Sequence, residues 1–339
     1  MDILSPAAPR STPAAARRSS LSVVVPVYNE QDVLPEFHRR LAKVLDSLGA
    51  AEIIYVNDGS GDRSMALLAE LHHGDPRVAV VDLSRNFGKE IAMTAGLDHA
   101  RGDAVVIIDA DLQDPPELIP EMVAAWREGH DVVLMRRRSR SQESWFKRTS
   151  ARAFYRTMHK LGAIDIPEDV GDFRLLSRRA VDAVRRFPER SRFMKGLFAW
   201  IGYPCREIEY DRAGREAGTT TWSYWRLWNF ALEGITSFSA LPLKLASYVG
   251  LVTAVVSFTY GAFVIGKTLL YGDPVRGYPT LVVVVLFLGG LQLMALGIIG
   301  EYLARMFIEV KQRPLYLVQQ SLPALDPLVP VGEAADVAR

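Results

Sequence analysis

An α/β fold is predicted for this chain: a mostly parallel, Rossmann-like sheet flanked by helices, followed by an interfacial amphipathic helix and a transmembrane hairpin of two helices. Two observations predict it. Between Leu21 and Arg136, short Val- and Ile-rich runs alternate with segments whose apolar residues recur at helical spacing. Towards the C-terminus, two segments of 22 and 23 residues carry no charged side chain.

Residues 1–20 are rich in Ala, Pro, Ser and Arg, lack the apolar stretch of a signal peptide, and read as a disordered tail. Arg10, Arg17 and Arg18 in it either face solvent or touch acidic lipid. The runs Leu21–Val27, Glu52–Val56, Val78–Leu83, Ala104–Ile108 and Asp131–Met135 suit parallel strands buried on both faces. Val33–Leu48, Ser64–His72, Ile91–Ala100 and Pro116–Glu128 read as the helices between them, with Pro116 at a helix start. This repetition implies right-handed crossovers within one soluble domain, placed at 21–222.

Residues 223–243 mix Trp225, Leu227, Trp228, Phe230, Leu232, Ile235 and Phe238 with few charges. They form an interfacial helix with aromatic anchors, or pack against the soluble domain. Two membrane spans are placed within 244–304. Leu245–Gly266 and Tyr278–Gly300, as helices, measure roughly 33–35 Å at 1.5 Å per residue, enough for a hydrocarbon core about 30 Å thick. The alternative is a pair of buried core helices. The short connector Lys267–Gly277 makes the pair an antiparallel hairpin. Arg226, Lys244, Arg305, Lys311 and Arg313 flank its outer ends, against Lys267 and Arg276 in the connector. That bias places the soluble domain, the segment 305–339 and both termini on the cytoplasmic side of the inner or plasma membrane. Gly289, Gly290, Gly297 and Gly300 offer small residues for helix packing, against a second copy in a homo-oligomer or against the first span.

Composition closes off several classes. Of 339 residues, 49% are hydrophobic and 23% charged, so the chain is not disordered as a whole. Forty Lys and Arg against 39 Asp and Glu leave a net charge of +1, without the basic excess of a nucleic-acid binder. The single cysteine, Cys205, excludes an intrachain disulfide, and six histidines include no HExxH pattern of a zinc hydrolase.

Chemistry concentrates where the strands end. Asp109-Ala110-Asp111-Leu112-Gln113-Asp114 follows the run Ala104–Ile108, and open α/β sheets bind ligands beyond the carboxyl ends of their strands. Bunched carboxylates need a cation or hydrogen-bond donors, and a few oxygen ligands suit Mg²⁺ or Mn²⁺ shared with substrate phosphates. Asn57-Asp58-Gly59-Ser60-Gly61-Asp62 follows the second run. Asp58 there either accepts from a nucleobase or ribose or belongs to an Asx-type turn before Ser64. The first run ends in Pro26-Val27-Tyr28-Asn29-Glu30, so three strand ends bring acidic or amide side chains to one edge.

Together, Val25-Pro26-Val27-Tyr28-Asn29-Glu30, Val56-Asn57-Asp58-Gly59-Ser60 and Asp109-Ala110-Asp111-Leu112-Gln113-Asp114-Pro115-Pro116 resemble the family-2 glycosyltransferases of GT-A fold. Ser84-Arg85-Asn86-Phe87-Gly88-Lys89-Glu90, Gly171-Asp172-Phe173-Arg174-Leu175, Gly234-Ile235-Thr236-Ser237-Phe238-Ser239 and Gly300-Glu301-Tyr302-Leu303 narrow the resemblance to the polyprenyl-phosphate glycosyltransferases. That group includes bactoprenol glucosyltransferases, dolichol-phosphate mannose synthases and the undecaprenyl-phosphate aminoarabinose transferase. The resemblance spans about Leu21 to Val318 and is poorly specific for the sugar.

It implies that residues 21–222 are a GT-A catalytic domain. Pro26, Tyr28 and Glu30 would line the nucleotide pocket, with Asp58 on the base and Asp109 near ribose and metal. Asp111 would be the principal ligand of Mg²⁺ or Mn²⁺, with Asp109 and supported by Gln113. Asp172 would be the catalytic carboxylate beside Arg174 at the acceptor site; the plain alternative is an Asp–Arg surface ion pair. Lys89 would hold the donor, or be an exposed lysine at a helix start. Arg136, Arg137, Arg138 and Arg140, with Lys147, Arg148 and Arg152 after them, either bind phosphate or form a solvated face. Two departures stand out. Arg215-Glu216-Ala217-Gly218-Thr219-Thr220-Thr221-Trp222 has Thr221 where the family usually has Lys, and Asn57 replaces an Asp. Arg215 remains a candidate substrate-binding residue.

The reading is a membrane-anchored inverting transferase. It moves a sugar, expected from a UDP-hexose, to undecaprenyl or a related polyprenyl phosphate at the cytoplasmic face. A flippase would be needed for any use of the product outside. The alternatives are a processive polysaccharide synthase, whose Gln-x-x-Arg-Trp motif is missing here, and a non-catalytic nucleotide-sugar- or lipid-binding membrane protein.

Overall fold

The computed structural model describes residues 19–138, 170–190, 192, 194–211, 241–271 and 277–325. The N-terminal tail to residue 18, the run from Arg140 to Arg152, Arg215, Thr221 and the proposed interfacial helix up to residue 240 lie outside the described residues.

Eight strands form one sheet. They are β1 (Leu21–Val27), β2 (Ala51–Asn57), β3 (Val78–Leu83), β4 (Ala104–Ile107), β5 (Val132–Arg137), β6 (Val170–Ser177), β7 (Cys205–Tyr210) and β8 (Val318–Leu322). Their order is β7-β5-β6-β4-β1-β2-β3-β8. β1 pairs in parallel with β2 and β4, β2 with β3, and β5 with β7. β6 runs antiparallel between β4 and β5, and β8 antiparallel on β3. The five expected strands are present to within a residue or two at each end. β6, β7 and β8 are additions.

Helices cover both faces. Along β1, Val23 and Val25 face one apolar cluster and Val24 the other, as the two-residue strand period requires. The first cluster takes up α1 (Leu34–Leu45), whose Leu34, Phe37, Leu41 and Leu45 form one buried stripe at helical spacing. α2 (Ser64–Gly74) and α4 (Ile119–Arg127) share this side through Leu68 and through Ile119 and Met122. The 3₁₀ turn Pro116–Leu118 leads into α4, so the proline run starts one short helical turn before the α-helix. The second cluster takes up α3 (Lys89–His99), α5 (Arg178–Arg185) and α6 (Met194–Trp200). Ser177 caps α5 by accepting from the Ala180 N–H at 3.2 Å.

α7 (Leu241–Tyr271) and α8 (Tyr278–Lys311) lie against one another and are long and apolar enough to cross a membrane. Large apolar side chains such as Phe258, Phe263, Phe287 and Leu293 are exposed on them, as lipid-facing residues would be. A Cβ built on Gly289, Gly290, Gly297 or Gly300 meets no atom of the described residues within 4 Å. α8 outruns its charge-free stretch and ends at Lys311, where Gln312 adopts a left-handed conformation, φ 48°. The chain after it is not a separate tail. It returns to the sheet as β8, with Ser84 N–H donating to Leu317 O at 2.9 Å and Leu325 N–H to Pro76 O at 3.0 Å.

α3 seats on the sheet through Gly96. A Cβ there would lie 2.2 Å from Cγ1 of the fully buried Val24. Gly96→Ala gains helix propensity but overpacks a stiff β-branched side chain, so it should destabilise the protein by about 1–3 kcal/mol. Thermal unfolding in detergent reads this. In the double variant with Val24→Ala, the loss should be smaller than the sum of the two single losses.

Candidate active site

The carboxyl ends of β1, β2, β3 and β4 share one edge of the sheet. β6 runs the other way, so its start, Gly171-Asp172, reaches that same edge; in the ladder Ile107 pairs with Arg174. A cleft of about 820 Å³ opens there. Pro26, Tyr28, Glu30, Asp58, Lys89, Asp109, Asp111 and Asp172 all line it.

The loops after β1 and β2 are zipped together. Asn29 sits in the left-handed region, φ 55°; its N–H donates to Ser60 Oγ and its Oδ1 accepts from Gly61 N–H. Glu30 N–H donates to Ser64 Oγ at 2.9 Å. Gly59, φ +64°, lets the loop after β3 pass flush, since a Cβ there would stand 2.5 Å from the Arg85 and Asn86 backbone. Asn57 has a structural reason for its identity. Its amide Nδ2 donates to buried Asp82 Oδ1 at 2.7 Å while its Oδ1 accepts from Ser60 Oγ at 2.6 Å. An Asp at 57 would set two carboxylates face to face.

Asp58 is nearly buried, and its two oxygens accept from the N–H groups of Phe87 at 2.7 Å and Gly88 at 2.9 Å. It therefore ties the loop after β3 to β2, a role absent from the sequence reading. Burial pushes its carboxyl up despite those donors. The tie fixes where α3 begins, and Lys89 is its first residue.

Lys89 is the hub of the site. Its ammonium Nζ lies 2.6 Å from Asp109 Oδ2 and 2.6 Å from Asp172 Oδ2. Partial desolvation in the cleft works against that ammonium, but the two carboxylate charges outweigh it and hold the lysine well above its usual pKa. Burial likewise opposes the charge on Asp172, yet Lys89, Lys195 and Arg174 hold it far below the usual carboxylate range. Asp109 goes the other way. Burial, with Asp172 and Asp114 as neighbouring charges, outweighs Lys89 and raises it. Asp172 Oδ1 is buried and has no hydrogen-bond partner among the described residues.

After β4 the chain turns sharply. Leu112 is left-handed, φ 59°, and Asp111 Oδ1 accepts from the Gln113 N–H at 3.1 Å, which leaves the Asp111 carboxylate on the cleft wall. Buried Asp114 accepts from the Tyr210 hydroxyl and anchors the turn to β7. Among the described residues, no three of His, Cys, Asp and Glu are grouped to hold a metal. The donor set on the wall is Asp111 and Asp109, oxygen ligands and few of them. That suits a hard divalent cation that completes its shell from substrate phosphates and water.

Several expected residues sit elsewhere. Arg174 is 3% exposed and does not reach the cleft. Its Nη2 donates to Gly171 O at 2.7 Å, its Nε to Asp172 O at 3.3 Å, and its guanidinium stacks on Phe198 at 4.2 Å. It shapes the backbone that carries Asp172, and the ion partner of Asp172 is Lys89. Arg136 pairs with Glu207, and Arg138 with Glu209 and Asp211, all on the β5–β7 rim and away from the cleft lining. The Gln113 side chain is not part of that lining either. Conversely, Glu90, Arg190, Arg192 and Lys195 line the cleft and were not singled out. Among these four, Glu90 alone lies in a quoted motif, as the last residue of Ser84-Arg85-Asn86-Phe87-Gly88-Lys89-Glu90. Burial, and then the charge of Asp172, raise the Glu90 carboxyl to about 7.

Comparison with known proteins adds the lineage. Residues 22–185 match the family model "Glycosyl transferase family 2", and residues 241–306 match "GtrB C-terminal hairpin". An uncharacterized glycosyltransferase of Synechocystis is 53% identical, over 88% of this chain and 94% of the relative. The bactoprenol glucosyl transferase of Shigella phage SfII is 48% identical, over 89% and 98%. The prophage bactoprenol glucosyl transferase homolog of Escherichia coli K12 is 46% identical, over 88% and 98%.

Glu90 makes stability depend on pH. Its carboxyl binds its proton more tightly in the folded chain, so the fold loses stability as pH rises from about 4.5 to about 7. Glu90→Gln removes that loss. The variant should melt close to wild type at pH 4.5 and gain on the order of 1–3 kcal/mol over it by pH 8. Melting curves of both proteins across that range check it; a constant offset would contradict the assignment.

Proposed function

The chain belongs to glycosyl transferase family 2, and from that membership we propose that it transfers a sugar from a nucleotide-diphosphate donor to a polyprenyl phosphate, with inversion at the anomeric carbon. The observation that carries the proposal is one cleft in which Asp109, Asp111, Asp172 and Lys89 meet at the sheet edge, with Ile308 of a membrane-length helix in its wall. Relatives named as bactoprenol glucosyl transferases, matched over nearly their whole length, support the lipid acceptor. A UDP-hexose is the proposed donor.

In this reading Pro26, Tyr28 and Glu30 bound the nucleotide end of the cleft. Asp111, with Asp109, would hold Mg²⁺ or Mn²⁺, which when bound supplies Lewis-acid stabilisation to the departing diphosphate. The remaining chemistry belongs to the chain and the substrates. An oxygen of the acceptor phosphate forms the new bond to the anomeric carbon as the bond from that carbon to the donor's β-phosphate oxygen breaks. A phosphate monoester has its second pKa near 6, so at neutral pH the nucleophile is already ionised, and no strong base is needed. Asp172, held ionised by Lys89, serves to orient rather than to remove a proton. Lys89 keeps the carboxylates from repelling each other and from drifting out of position. The two spans hold the cleft at the cytoplasmic membrane face, where the acceptor's phosphate lies, so the reactants meet already oriented.

The test is transfer of radiolabelled sugar from a panel of UDP- and GDP-sugars into organic-extractable lipid, with undecaprenyl phosphate and Mg²⁺ or Mn²⁺. One donor should label the lipid. Asp111→Ala should lower that rate by about 10²–10³-fold, as loss of a main electrostatic contact does, and a chelator should abolish it. Water-soluble polymer or donor hydrolysis alone would instead assign another transferase reaction.

A further inference from the structure

Three basic residues also line the cleft: Arg190, Arg192 and Lys195, together with Ile308 near the end of α8. Arg190 N–H donates to both carboxylate oxygens of Glu309, at 2.8 and 3.1 Å, so the loop between α5 and α6 is docked on the end of the membrane helix. Within that loop Arg192 is 9% exposed. Its Nη2 donates to Phe187 O at 3.0 Å, while its buried Nε and Nη1 have no hydrogen-bond partner among the described residues. A buried guanidinium with two idle donors is costly unless a ligand takes them up. Lys195 stands beside it in the lining and forms no ion pair among the described residues, with Asp172 as its strongest attractive charge.

We infer that Arg192, with Lys195, seats the phosphate monoester of the lipid acceptor, which enters the cleft along the end of α8. The inference rests on the reading of the chain as a polyprenyl-phosphate transferase. Its logic is charge balance. An acceptor carrying nearly two negative charges must approach Asp172 and Asp109, and Lys89 is already committed to both of them. Arg192 brings a full positive charge and two idle donors, Nε and Nη1, on separate edges of its guanidinium, so it meets phosphate through single hydrogen bonds. Lys195 supplies a second charge close to Asp172, where the attacking oxygen must lie. The diphosphate of the nucleotide donor has the same chemistry, so the experiment separates the two sources.

Binding of farnesyl phosphate, farnesol and UDP to the full-length protein in detergent micelles is measured for wild type, Arg192→Gln, Arg192→Lys and Lys195→Gln, each with its melting temperature. Wild type should prefer farnesyl phosphate to farnesol. Arg192→Gln should weaken farnesyl phosphate tenfold or more with UDP changed less than twofold, Arg192→Lys should recover part of the loss, and Lys195→Gln should weaken it several-fold. Unchanged farnesyl phosphate binding in a folded Arg192→Gln overturns the inference and leaves the transferase reading intact. A larger loss for UDP than for farnesyl phosphate also overturns it, assigning Arg192 to the donor. If Arg192→Gln does not fold, unchanged binding in Lys195→Gln and Arg192→Lys overturns it equally. Equal wild-type affinity for farnesol and farnesyl phosphate would sink the lipid-phosphate reading itself.

Discussion

The site depends on one ammonium group. Lys89 stands between Asp109 and Asp172 at hydrogen-bond distance from both, and without it two half-buried carboxylates from neighbouring strands would repel each other. Its position is not set by its own contacts alone. Asp58 grips the backbone of Phe87 and Gly88, Gly59 lets that loop come close, and α3 then starts at residue 89. The far end of α3 is pressed onto β1 through Gly96 and Val24. The packing of a helix on the sheet thus becomes the placement of a charge in the cleft.

The second requirement is topological. Asp109 follows β4 and Asp172 begins β6, far apart in sequence. They meet because β6 is inserted antiparallel between β4 and β5, which turns its amino end towards the carboxyl ends of its neighbours. Arg174, two residues on, then lies on the same strand face one pleat below the edge, where it binds backbone and Phe198 instead of substrate.

This explains what the sequence made legible. The strands β1 to β5 are buried on both faces and announce themselves as Val- and Ile-rich runs, so the parallel core and its loaded edge were readable. The acidic turns were readable because they directly follow those runs. β6 does alternate, with Asp172 and Arg174 against Phe173 and Leu175, but its polar face reads equally well as a loop bearing a motif. β8, Val-Gln-Gln-Ser-Leu, is largely exposed and joins the sheet through backbone pairing, which leaves no hydrophobic signature. The basic run at 136–138 looked like a phosphate site because charge type is visible in sequence and partners are not. Glu207 and Glu209 of β7, with Asp211 just after it, pair with Arg136 and Arg138. Arg192 was invisible for the converse reason: burial without a partner is a property of the folded chain alone.

The membrane helices are part of the same device. Beyond the charge-free stretch, α8 continues from Glu301 to Lys311, about 16 Å at 1.5 Å per residue. That overhang does two things at once. Ile308 and Glu309 meet the cleft wall and the loop carrying Arg190, while the chain after Gln312 turns back and joins β3 as β8. The sheet is therefore held to the membrane helix at two separate places, the cleft rim and the opposite edge strand. Two attachments resist the tilting that a single flexible linker would allow, so a rigid helix sets how far the cleft stands from the charge-free stretch. A lipid phosphate is confined to the interface and cannot rise far to meet an enzyme. For such a substrate, the helical overhang and the edge strand are as much a part of substrate positioning as the charges in the cleft.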